Sequence, residues 1–125
     1  MVRLSSAMLA VAALSLAPAV ASPTAFHNHL VKASPAIDGE VTQAPTQLVL
    51  WFSEPPEVKL SSVKLRSEAD TTQLITTGPV AAGPESKSIA VPVTGRLAPG
   101  AYQVVYRTAG TDGHIVRGKY RFTLK

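Results

Sequence analysis

The sequence predicts an all-β, Greek-key β-sandwich of about seven short strands, and three observations carry that expectation. Apolar and polar residues alternate over short runs, Pro and Gly punctuate the chain between those runs, and no stretch beyond the first 21 residues reads convincingly as a helix. Short strands with turn signals between them are the pattern of an immunoglobulin-like sandwich.

Taken in order, the first strand is expected at about His29 to Ala33. Gln47 to Ser53 is the clearest early strand: Leu48, Leu50 and Phe52 share one face, and Glu54-Pro55-Pro56 stops the run. Trp51 has the opposite parity and is expected at the surface. Ser62–Arg66, Thr72–Thr76 and Lys87–Val91 are weaker strands. In the C-terminal third, Tyr102, Val104 and Tyr106 share a face, as do Tyr120, Phe122 and Leu124. Pro99-Gly100 makes a turn, and Tyr102 just inside the next strand is placed as in a tyrosine corner. The aromatic residues are thereby expected in the core or at that corner.

The first residues read as an export signal. Arg3 gives a positive start, Met8 to Leu16 a short apolar run, and Ala19-Val20-Ala21 a small-residue cleavage site. The run is too short to span a membrane. The expected organisation is a signal peptide at 1–21, a short arm at 22–26 and one domain at 27–125, delivered as a soluble exported protein. The chain has no cysteine, and its 2 methionines, Met1 and Met8, both fall in the leader. A metal site in the exported domain must therefore use nitrogen and oxygen donors.

The 12 lysines and arginines against 8 acids give a formal charge of +4. They are scattered singly, with no run and no aromatic interleaving, which reads as a solvated surface with no nucleic-acid partner. There is no phosphate-cradling glycine loop and no serine, histidine and acid grouping in a recognisable context, so no enzyme is expected.

The 3 histidines, His27, His29 and His114, lie at the two extremes of the expected domain. A sandwich can bring such extremes together, because its loops cluster at two ends. Asp112 and His114 flank Gly113, so both side chains can project the same way and meet one ion, while Gly113 and Gly110 let the backbone bend. An imidazole with a carboxylate suits copper(II), nickel or zinc, and divalent affinity peaks at copper. His27-Asn28-His29 repeats the two-residue spacing.

With these residues in view, the sequence resembles the CopC family of periplasmic copper-binding proteins. The resemblance rests on His27-Asn28-His29-Leu30-Val31, Ala33-Ser34-Pro35-Ala36-Ile37-Asp38-Gly39, the strand Leu48 to Glu54, Pro99-Gly100-Ala101-Tyr102, and Thr111-Asp112-Gly113-His114 followed by Gly118 and Phe122. It implies a cupredoxin-like or immunoglobulin-like sandwich that holds one copper(II) ion in a histidine brace, made by the amine and imidazole of an N-terminal histidine with the Asp-x-His turn. By position the metal residues are His27, Asp112 and His114, with His29 a secondary candidate. The methionine-rich copper(I) loop of some family members is absent.

Cleavage after Ala21 would leave residues 22–26 ahead of His27, which then offers its imidazole and a protonated peptide nitrogen, a poor ligand. The function implied is a copper carrier or buffer in copper homeostasis or resistance, acting as a monomer, with a separate inner-membrane copper transporter as candidate partner. A histidine-brace oxidative enzyme and a metal-free adhesion or scaffold module are the competing readings.

Overall fold

A computed structural model describes residues 28–125, with Ala13 the one residue described before them. The rest of the expected leader, the arm at 22–26 and His27 lie outside the described residues. Among the described residues nine strands form two sheets: β1 (Leu30–Ser34), β2 (Glu40–Val41), β3 (Gln47–Phe52), β4 (Ser62–Ser67), β5 (Leu74–Ile75), β6 (Ala81–Ala82), β7 (Ser88–Pro92), β8 (Gly100–Ala109) and β9 (Ile115–Leu124). One sheet has the order β1-β3-β7-β6 and the other β2-β9-β8-β4-β5. All neighbours are antiparallel except β2, which runs parallel to the end of β9.

The alternation that predicts β3 also builds the core. Leu48, Leu50 and Phe52 are buried against Ile89 and Val91 of β7, and across the sandwich against Val63 and Leu65 of β4. The longest strands close the core from the opposite sheet with Tyr102, Val104 and Tyr106 facing Tyr120, Phe122 and Leu124. Tyr102 and Phe122 are direct cross-strand partners with stacked rings 5.6 Å apart. Phe52 meets Tyr106 edge to face at 5.6 Å, joining the two sheets. Gly118 is required beneath that contact, because a Cβ there would collide with the Tyr106 hydroxyl.

Three differences from the expected pattern have physical reasons. The two-residue strands β2 and β6 are too short to show a period; β2 exists because Asp38 and Gly39 dock on β9 through Asp38 N–H to Arg121 O at 2.8 Å and Thr123 N–H to Gly39 O at 2.9 Å. β5 contracts to Leu74–Ile75, whereas β9 extends back to Ile115 through Arg117 and Lys119, whose side chains face solvent while Val116 and Gly118 face inward. Trp51 is half-buried rather than fully on the surface, with the Lys32 ammonium 4.5 Å above its ring.

Tyr102 donates its hydroxyl proton to the Ala98 carbonyl, four residues back, which makes the expected tyrosine corner. Replacing it in Tyr102→Phe should lower unfolding stability by about 1 kcal/mol in urea titration. Leu50→Ala, at a fully buried position, should cost about 2–5 kcal/mol by the same measurement. Val31→Ala, at a residue 56% exposed on β1, should stay within about 0.5 kcal/mol.

Candidate metal centre

The β8–β9 hairpin pairs without interruption up to Ala109 and Ile115, so residues 110–114 form a five-residue loop on a rigid two-stranded stem. Within it the Gly113 N–H bonds to the Gly110 carbonyl at 3.0 Å, and Gly113 has φ +80°, a conformation that L side chains rarely adopt. The loop therefore turns tightly and sets Asp112 and His114 on one side. Asp112 holds His114 twice. Its Oδ1 accepts the His114 backbone N–H at 3.0 Å, and its Oδ2 lies 2.7 Å from the imidazole Nδ1.

The expectation that both side chains project together is met, and they meet one another. A neutral imidazole in this arrangement carries its proton on Nδ1, and Nε2 lies on the far edge of the ring from the carboxylate. This is the way a carboxylate fixes the tautomer and orientation of a metal-binding histidine. The hydrogen bond from His114 and its positive charge hold the Asp112 carboxyl below its ordinary value, and the same contact raises the His114 imidazole above 6.5. Both side chains are well exposed, at 49% and 72%, so solvent screens the pair and its effect on fold stability is small.

The other end of the domain reaches this loop. Asn28 is buried at 5% exposure, and its Oδ1 accepts the Glu54 backbone N–H at 3.0 Å while the His29 N–H donates to Ser53 Oγ at 3.0 Å. These bonds fasten the chain ahead of β1 to the end of β3. Asn28 then lines a shallow depression of about 370 Å³ together with His114, Ile115, Val116 and Arg117.

Glu54 approaches as well. A Cβ at Gly110 would lie 3.1 Å from Glu54 Oε2 and 3.2 Å from Asp112 Oδ1, so the two carboxylates converge on that glycine. Asn28 and Glu54 are the site neighbours that sequence reasoning missed. The one signal for Glu54 was its position at the end of β3, where Pro55-Pro56 turns the chain toward the opposite sheet.

Among the described residues, no three His, Asp or Glu side chains are grouped so as to hold a metal ion. The structure thus unites Asp112 with His114 and does not add His29 to them as a third donor, while His27 lies outside the described residues. The donors present are imidazole nitrogen and carboxylate oxygen, which fit a borderline divalent ion such as copper(II).

Comparison with known proteins agrees with this fold. The crystal structure of CopC from Methylosinus trichosporium OB3b matches with a TM-score of 0.70 at 30% identity, over 79% of this chain and 94% of that one. PcoC from Escherichia coli, a methionine-rich copper resistance protein, matches with a TM-score of 0.70 at 32% identity, over 79% and 99%. Among curated sequences, protein YobA of Escherichia coli (strain K12) is 34% identical over 100 residues, 79% of each chain. Copper resistance protein C of Escherichia coli is 32% identical over 111 residues, 85% of this chain and 87% of that one. The CopC domain model matches residues 30–125, from the first residue of β1 to the end of the sequence, and the chain belongs to the CopC family.

Proposed function

We propose that this protein binds one copper(II) ion as cargo and serves as a copper carrier or buffer in the periplasm, within copper homeostasis or resistance. The observation that carries this reading is the Asp112–His114 pair, held on a rigid hairpin beside Asn28. The residue before Asn28 in the chain is His27, so a second imidazole is encoded one peptide bond from the wall of the same depression.

His114 supplies an imidazole nitrogen. Asp112 supplies negative charge to the ion, either through its own oxygen or through the ring it orients. His27 supplies the further imidazole, with His29 as the secondary candidate. The methionine-rich character of PcoC has no counterpart here, since both methionines precede residue 9. A nitrogen and oxygen donor set favours copper(II) over copper(I).

A binding role rather than an enzymatic one is supported by Trp51. It is the aromatic side chain best placed to offer a substrate platform, and it is half-buried beneath Lys32. The copper resistance proteins among the relatives support the same physiological setting.

Copper(II) titration followed by electron paramagnetic resonance tests the site. His114→Ala should weaken binding by more than about a hundredfold, and Asp112→Asn by about 10–100-fold. Unchanged binding in His114→Ala would overturn the assignment.

The pair also fixes a pH dependence. His114 is raised in the folded protein, so its contact with Asp112 contributes fully below the unfolded value near 6.5 and is lost as pH rises through the folded one. Asp112 is lowered, so its contribution is present above its unfolded value near 3.9 and is lost as pH falls through the folded one. Nuclear magnetic resonance titration of the copper-free protein should place His114 above about 6.5, and Asp112→Asn should bring it down. Copper competes with the imidazole proton, so the loaded protein should release its ion as pH falls below about 6, with the metal itself moving the midpoint lower.

A further inference from the structure

We propose that the outer face of the five-stranded sheet docks on an anionic phospholipid surface through a lattice of six cations. Scattered along the sequence, Lys64 and Arg66 of β4, Arg107 of β8, and Arg117, Lys119 and Arg121 of β9 all project from this one face. They are half of the 12 lysines and arginines of the chain.

The register sets them out in three rungs. Ser62, Arg107 and Arg117 are consecutive partners across the sheet, as are Lys64, Val105 and Lys119, and Arg66, Gln103 and Arg121. Neighbouring strands lie about 4.8 Å apart and alternate residues about 7 Å apart along a strand, so the cations tile a patch rather than a line. Each rung holds two positive side chains.

Compensation by carboxylate and amide side chains is confined to one margin, while Arg107 donates to the Leu60 carbonyl at 3.4 Å. Arg121 pairs with Glu68 at 3.1 Å, and Arg66 Nε donates to Gln103 Oε1 at 3.1 Å. Among the described residues, no carboxylate lies within ion-pair distance of Lys64, Arg107, Arg117 or Lys119. Arg107 and Arg117 face each other directly across two strands, a like-charge arrangement that destabilises a sheet and that a bound anion relieves. Lys64, Arg107 and Arg117 also rim a recess of about 240 Å³ over Val105 and Gly118. Two guanidinium forks and an ammonium around such a recess match the oxygens of a phosphate.

The composition of the face selects a lipid surface over an acidic protein. A specific protein interface needs a large apolar or aromatic centre; the residues interleaved with these cations are Val105, Gln103, Ser62 and Ala101, and the large exposed apolar side chains of this face, Leu74 beside Arg66 and Ile115 beyond Arg117, stand at its margins. A flat array of charge with large apolar side chains only at its margins suits an extended anionic surface. For an exported chain that surface is the phospholipid headgroup layer, where each lysine or arginine strengthens partition about fivefold.

The test is sedimentation of the full mature chain with large vesicles at low salt. Phosphatidylcholine with about a quarter phosphatidylglycerol should bind the protein at least tenfold more tightly than phosphatidylcholine alone, and added salt should reverse this. The double variant Lys64→Gln, Lys119→Gln should lose about 25-fold in partition to the anionic vesicles. Lys32→Gln, Lys87→Gln, on β1 and just before β7, makes the same change in net charge away from this face and should stay within about twofold. Equal losses in the two variants would show a net-charge effect and overturn the proposal. So would equal binding to the two vesicle types. Polyglutamate peptide bound as tightly as the anionic vesicles would reassign the face to an acidic protein.

Discussion

Ten consecutive rungs of antiparallel pairing, from Gly100 with Leu124 to Ala109 with Ile115, are the constraint on which the rest of this molecule depends. Because side chains alternate across a strand, the same ladder does three things. Its inner face supplies Tyr102, Val104, Tyr106, Tyr120, Phe122 and Leu124 to the core, its outer face arrays four of the six cations, and its closed end carries Asp112 and His114. A one-residue slip would exchange the two faces and put arginines in the core. Burial of the inner face therefore fixes the position of the loop.

Legibility in the sequence followed the periodicity of each element. β3 could be read because Leu48, Leu50 and Phe52 alternate cleanly, and the turn at Pro99-Gly100 announced Tyr102 as a corner residue that the structure shows bonded to Ala98. β2 could not be read, since two residues carry no period and its existence rests on backbone bonds to β9. At the site, Asp112-Gly113-His114 was visible as a local motif because both side chains sit two residues apart on one turn. Asn28 and Glu54 were not, because they reach the loop only after the first and third strands pair. The cations show the same limit: single residues at wide intervals in the sequence become neighbours through strand register.

In the proposed copper-binding role, the Asp112–His114 contact joins two properties that a cargo site needs. In the copper-free protein the carboxylate holds the ring in one orientation, so little rearrangement precedes metal capture. The same hydrogen bond raises the proton affinity of the ring, so proton and copper(II) compete for one side chain. Under that role, release of the ion becomes sensitive to pH. The pair is exposed at the hairpin tip.

Burial of Asn28 has a kinetic consequence for any donor that precedes it in the chain. Hydrogen bonds from the Glu54 backbone N–H and the Ser53 hydroxyl to its Oδ1 fix this residue to the end of β3, in the wall of the depression that contains His114. A ligand attached one peptide bond away is delivered at high effective concentration, because the search of a long flexible segment is replaced by rotation about a few bonds. In the proposed role of His27, closure of the metal site would be a unimolecular step. Displacing that one ligand would then open the site without disturbing the sandwich behind it.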